Sequence, residues 1–217
     1  WKRPNADNEN PLLARDVTRR DIELQELASY WHEAAIAGAN SPGASIAYYS
    51  FDLRGFHFRG ERPWVLRWEM LSGTVSFRGK TIVELGCNMG LLAINVHFAG
   101  ASSVIAVDHS RSILDVATKV ARLLGAPVDF RLVDFDRDEN WETTLGDGDL
   151  VSALSLTYWL SDKDRLWRYL ARFPEVIFEG HEPSDEIEER FSSLGYSYTR
   201  LGISERARIV FHATRNA

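Results

Sequence analysis

The sequence predicts a doubly wound α/β fold: a seven-stranded, mostly parallel sheet with helices on both faces, preceded by a helical and aromatic lid. Three observations predict it. From Thr81 onward, short apolar runs alternate with segments of helical period, the pattern of a parallel sheet covered on both sides. The apolar runs are nearly continuous rather than alternating, so both faces of each strand are buried. The chain then closes with two β-like runs, "YSYTRLGI" and "RARIVFHATR", separated only by "SE". Strands so closely joined must pair antiparallel.

The elements follow in order. Residues 1–20 are polar and mixed in charge, and read as a loose arm. Asp21 is placed to cap a helix carrying Leu24, Leu27, Ala28, Trp31 and Ala35 at three-to-four-residue spacing. "GANSPGAS" (38–45) ends it. An aromatic, cationic stretch follows without a clean period. It holds Tyr48, Tyr49, Phe51, Phe56 and Phe58, and four arginines (54, 59, 62, 67) against one acid, Glu61, between Arg54 and Trp68. Strands are expected at 81–85, 103–107, 128–133, 149–155 and 174–180, and helices at about 89–99, 110–124, 162–172 and 184–194. The domain boundary is placed between residues 61 and 62, with arm, helix and lid before it and a Rossmann-like domain over 62–217.

Composition bounds the function. With 217 residues, 45% of them hydrophobic, the chain can bury one good-sized core. A formal charge of −6 argues against a large nucleic-acid footprint. A lone cysteine, Cys87, leaves no internal disulfide and no cysteine-rich metal site. No apolar run reaches the length of a membrane span, so a cytoplasmic protein is expected. The chain begins at Trp1, which suits a piece of a longer parent with a further domain.

The informative stretch is "TIVELGCNMGLLAI" (81–94), where a strand runs through a glycine-containing turn into a helix. In open parallel sheets, ligands collect at such corners. A dinucleotide turn needs three glycines; here Gly86 is followed by Asn88 and Leu91 in their places, which disfavours pyrophosphate and a nicotinamide oxidoreductase. Glu84 would repel phosphate but suits an ammonium group or hydroxyls. Asn88 can take the left-handed backbone that glycine would otherwise supply, and Gly90 permits close approach at the helix start. Asp108 ends the second strand, where a carboxylate accepts both ribose hydroxyls. Asp134 follows the third, placed for an adenine amino group. Three acids at three strand ends suit a cationic adenosine without phosphate, the form of S-adenosylmethionine (SAM).

Residues 81–136 resemble the class I, Rossmann-like, SAM-dependent methyltransferases, whose first motif is an acid–x–Gly–x–x–x–Gly turn. "DLVSALSLTYWL" (149–160) resembles their fourth strand, and the closing hairpin their antiparallel end. The resemblance, over roughly 62–214, implies the strand order 3-2-1-4-5-7-6. It places Glu84, Gly86 and Gly90 at the methionine part of the cofactor, with Cys87 and Asn88 in the same turn. Asp108, with neighbouring His109, falls at the ribose, and Asp134 with Phe135 at the adenine. Arg62 and Arg67, on a lid, offer forks for the cofactor carboxylate. It implies SAM as cofactor, S-adenosylhomocysteine (SAH) as product, and an acceptor above strands four and five.

There Tyr158 and Trp159 stand at one strand end, and Glu179, His181 and Glu182 at the next; Tyr49 would face the acceptor from the lid. His181, oriented by a glutamate, is the candidate general base. No histidine–carboxylate cluster has metal-ligand spacing, so no metal is expected. An O-methyl transfer to a small-molecule or glycan hydroxyl is the leading reading, with nucleic acid not expected as partner. "GERPWVLRWEML…GKTIVELGC" also resembles tRNA wobble-uridine carboxymethyl transferases, but their strand-four "LYHR" is replaced by "LTYWL". A methyltransferase-like module without catalysis is the remaining alternative.

Overall fold

The computed structural model describes residues 19, 21–29, 49–53 and 56–215. The expected arm, the helix continuation through Trp31 and Ala35, the break at 38–45 and Tyr48 lie outside the described residues. Helix α1 covers 21–29 and buries Leu24 and Leu27.

The central sheet has seven strands: β4 (Thr81–Leu85), β5 (Ser103–Asp108), β6 (Asp129–Leu132), β7 (Leu150–Leu154), β8 (Glu175–Glu179), β9 (Ser197–Ile203) and β10 (Ile209–Thr214). Their order is β6-β5-β4-β7-β8-β10-β9, the expected 3-2-1-4-5-7-6 when β4 is counted as the first. β4 to β8 pair in parallel, and β10 runs antiparallel to both β8 and β9. Alternation along each strand divides the core in two. Ile82 and Ile177 face α3 (Leu91–Phe98) and α4 (Arg111–Leu124), together with α2 (Trp64–Ser72). Val83, Leu85, Val176 and Phe178 face α5 (Trp141–Leu145), α6 (Lys163–Leu170) and α7 (Ser184–Ser193). Asp162 caps α6, accepting the Arg165 N–H at 2.8 Å.

Two features depart from the sequence reading. The lid segment, where described, is a small sheet rather than a helix. β1 (Tyr49–Leu53) pairs antiparallel with β2 (Phe56–Phe58) and parallel with β3 (Arg62–Pro63). Phe51 and Phe58, register partners, stack with centroids 4.8 Å apart. Because β3 pairs back onto β1, this sheet straddles the boundary expected between 61 and 62. The second feature is α5, whose five residues are too few to display a helical period.

Candidate active site

The turn after β4 is built on left-handed backbone. Gly86 has φ 70°, Asn88 φ 50° and Gly90 φ 71°, so asparagine does stand in for a glycine. At Gly90 the constraint is doubled: a Cβ there would sit 2.6 Å from the Phe130 ring, supplied by β6. Its missing side chain therefore admits Phe130 at the start of α3. Cys87 is buried beside Glu84, and burial pushes its thiol well above its ordinary value, which makes it inert as a nucleophile.

Glu84 lies on the face of β4 that meets the N-terminus of α3, and accepts the Ala93 N–H. Only 7% of it is exposed, and its Oε2 has no hydrogen-bond partner among the described residues. Burial, reinforced by nearby Asp108, pushes its carboxyl up to about 8. Asn88 Oδ1, in the same turn, is likewise buried and unpartnered. Buried polar atoms are almost always satisfied, so two orphaned acceptors in one strand-to-helix corner mark a place for a ligand that donates. These two acceptors fit a cationic group bearing N–H bonds.

Asp108, at the end of β5, is also buried. Its Oδ2 accepts the Asn88 N–H at 2.9 Å and its Oδ1 the Ser110 N–H at 3.0 Å. Each oxygen keeps a second lone pair. His109 Nδ1 lies 3.3 Å from Oδ1, with its ring mostly exposed. Asp134 sits two residues beyond β6 and closes its own turn, accepting N–H bonds from Asp136 and Arg137. The loop that follows is held by Arg165, which sequence reasoning passed over. Its guanidinium grips Glu142 through Nε and Nη2 at 2.5 and 2.6 Å and donates to the carbonyls of Phe135, Asp138 and Glu139. Phe135 itself turns into the core, edge-on to Trp141 at 5.0 Å.

Several residues expected at the acceptor or cofactor are engaged elsewhere. Glu179, at the end of β8, is fully buried. It accepts from Arg67 Nη2 at 2.7 Å, Ser155 Oγ at 2.8 Å, Ser204 Oγ at 3.1 Å and Arg208 Nε at 2.7 Å. Three of these donors meet Oε1 and Arg67 meets Oε2, so the carboxylate is compensated within the protein. Arg67, 3% exposed, also reaches Glu205 at 3.1 Å, and Arg62 meets that carboxylate at 3.4 Å. Tyr49 is buried edge-on to Trp64, and the Arg67 guanidinium lies 5.7 Å from its ring centre. Arg67 and Tyr49 therefore dock α2 and the small sheet onto β8. No sequence signal singles out Ser155, Ser204 or Arg208; Ser155 betrays itself only in the structure, by a φ of 61°.

Tyr158 and Trp159 occupy a single 3₁₀ turn after β7 and are 69% and 65% exposed, large apolar surfaces left on the rim. Their rings meet edge to face at 5.1 Å, and His181 lies 5.5 Å from Tyr158. The sheet's carboxyl edge thus presents three acids (84, 108, 134) on one side and an aromatic–histidine cluster on the other. Among the described residues, no helix is long and apolar enough to cross a membrane.

No family model matches the chain. It is 35% identical over 134 residues to "Probable protein arginine N-methyltransferase 3" of Oryza sativa subsp. indica, 60% of this chain and 19% of that protein. It is 27% identical over 116 residues to the Bos taurus "Histidine protein methyltransferase 1 homolog", 49% of this chain and 31% of that protein. The chain spans only about a fifth to a third of the length of these relatives. Among solved structures, the N-terminal domain of EvdMO1, crystallised in the presence of SAH and D-fucose, aligns with a TM-score of 0.66 at 15% identity. That alignment covers 92% of this chain and 100% of that one. The ribosomal protein L11 methylase of Lactobacillus delbrueckii subsp. bulgaricus aligns with a TM-score of 0.53 at 24% identity, over 70% of this chain and 76% of that one. At such identities the likeness is one of fold.

Proposed function

We propose, from the premise that this chain carries the class I, Rossmann-like fold of SAM-dependent methyltransferases, that it moves a methyl group from SAM to a hydroxyl of a small or sugar-like acceptor. One observation carries the cofactor half of this reading. Glu84 is a buried carboxyl with an unpartnered oxygen at the first strand–helix corner, whose turn also holds the orphaned Asn88 Oδ1. The α-ammonium of a bound amino-acid group supplies the missing donors. Gly86 and Cys87 complete that turn. Asp108 takes the ribose hydroxyls on its remaining lone pairs, with His109 at the same edge, and Asp134 takes the adenine amino group. Arg62, which also meets Glu205 at 3.4 Å, adds a cation on the side of the cofactor carboxylate. The catalytic unit is the Rossmann-like portion from about residue 62, with the preceding segment packed against it.

SAM, when bound, supplies a methyl group on a sulfonium, an electrophile that needs no further activation. What the chain's residues do is hold the acceptor in line and remove its proton. Alignment of this kind is worth roughly 7–11 kcal/mol in model reactions. Tyr158 and Trp159 offer exposed ring faces on which a neutral, ring-shaped acceptor can pack. His181 takes the hydroxyl proton, leaving the bonding pair on the acceptor oxygen. Burial, with Arg208 next in weight, holds its imidazole below the ordinary histidine value, so it is neutral and able to accept at pH 7. The presence of D-fucose with the EvdMO1 domain supports a sugar-like acceptor.

A second reading has its own support: the curated relatives are named as protein arginine and histidine methyltransferases, which favours a side-chain nitrogen as acceptor. Calorimetry with SAH tests the cofactor, and micromolar binding is the expected result. Absence of heat at millimolar ligand removes the enzyme and leaves a scaffold. Transfer of labelled methyl from SAM to a panel of free sugars, against arginine- and histidine-containing peptides, then separates the two acceptors.

A further inference from the structure

Thr157 belongs to no part of the cofactor site, yet it is fully buried directly beneath the exposed Tyr158. Its Oγ1 lies 2.8 Å from Glu182 Oε2, 3.0 Å from the His181 backbone nitrogen and 3.3 Å from His181 Nδ1. A hydroxyl has one proton to give. The carboxylate is the strongest acceptor in reach, so that proton points to Glu182. Glu182 is ionised to receive it: burial pushes its carboxyl up, but hydrogen bonds from Lys163 and Thr157 outweigh this and hold it below the usual carboxylate range. Lys163 Nζ sits 2.8 Å from Glu182 Oε1. The threonine oxygen then offers only lone pairs to the ring facing it, and the ring nitrogen that meets it must carry hydrogen.

We propose that Thr157 is a positioning residue for proton transfer: together with Glu182 it locks His181 as the Nδ1–H tautomer, leaving Nε2 as the atom that takes the acceptor's proton beside Tyr158 and Trp159. The inference rests on the methyl-transfer reading for its purpose, but its geometry needs no cofactor. The chain of groups is carboxylate, hydroxyl, imidazole, base. In the step, the O–H bond of the acceptor breaks, its proton moves to Nε2, and the bonding pair stays on the acceptor oxygen. The other charged groups facing the ring are Arg208 and Glu179, from the β9–β10 hairpin and β8, and Lys163 from α6. None of them supplies an acceptor for Nδ1, so the tautomer depends on Thr157.

Long-range ¹H–¹⁵N correlation spectra of the full chain, labelled at histidine, read the tautomer directly. Neutral His181 is expected as Nδ1–H, and Thr157→Val should abolish that form in favour of the Nε2–H tautomer that free imidazole side chains prefer. Thr157→Ser should restore it. If the valine variant does not fold, Glu182→Leu serves, since the hydroxyl then has no carboxylate to point to and can turn toward Nδ1, so the two tautomers should mix. An Nε2–H ring in the wild type, or an unchanged spectrum in a folded variant, overturns the proposal. Loss of SAH binding overturns methyl transfer and leaves this result untouched.

Discussion

Glu84 and Glu179 are both buried, both at the carboxyl end of parallel strands, and both on the face of the sheet that meets α2 and α3, separated by the single strand β7. Their surroundings are opposite. Glu179 holds two arginines and two serine hydroxyls, whereas Glu84 receives one backbone N–H and has an oxygen with nothing to accept. A buried carboxylate is tolerated when charge and hydrogen bonds compensate it. The satisfied one therefore joins parts of the fold, and the unsatisfied one is what we propose receives a cation. The same residue type at equivalent strand ends acquires its role from the number of donors left to it.

The largest effect should come from breaking the satisfied carboxylate. Arg67→Ala leaves Glu179 with Arg208 as its only cation and uncouples α2 from β8, and losing one partner of a buried pair costs about 3–5 kcal/mol. Urea denaturation reads this as a lowered midpoint. Arg67→Met, which keeps volume while removing the charge, should recover little. Full stability in either variant would mean that Glu179 is compensated without α2.

Glu84→Gln should act in the other direction on stability. An exposed glutamate in the unfolded chain ionises near 4.5, while in the fold it does so near 8. Between those values the folded state holds a proton that the unfolded state has lost, so stability falls as pH rises from about 4.5 to about 8 and is flat above. The glutamine variant removes that slope. At neutral pH it should be more stable than the wild type by about 2–3 kcal/mol, with SAH affinity reduced at the same time. Denaturation midpoints from pH 5 to 9 test the first statement and calorimetry the second. A wild type with no slope would mean that Glu84 is compensated after all.

This contrast also explains how far the sequence could be read. Period and apolar content belong to single segments, so the strand–helix alternation and the turn of Gly86, Asn88 and Gly90 were legible, while the sheet order followed from the family resemblance. Whether an acid is satisfied depends on partners far along the chain. Glu179 meets Arg67 across 112 residues, and nothing local announces that pairing. The same holds for Arg67 and Tyr49, read as ligand-facing because a cationic, aromatic segment suits a lid, and for Phe135, whose inward turn follows from Trp141 on an unforeseen helix. Thr157 was invisible because its neighbours, Tyr158 and Trp159, carried the chemistry that attracts notice.

A third carboxylate, intermediate between the two, gives the smallest expected effect. Glu142 is paired with Arg165 where both side chains are partly exposed, 25% and 20%. The side-chain hydrogen bond from Arg165 holds Glu142 below the usual carboxylate range. Charge-assisted hydrogen bonds here are screened but bidentate, so Arg165→Ala should cost about 1–2 kcal/mol, less than Arg67→Ala. Arg165 differs from Arg67 in what else it holds: the carbonyls of Phe135, Asp138 and Glu139 fix the loop that begins at Asp134. The same variant should therefore loosen recognition of adenine specifically, lowering SAH affinity several-fold while S-inosylhomocysteine, which lacks the amino group, changes little. Lysine at 165 cannot span Glu142 and three carbonyls at once, so Arg165→Lys should not restore the discrimination. Equal losses for both ligands would move Arg165 into the class of Glu179, a joint of the fold with no bearing on which base the rim selects.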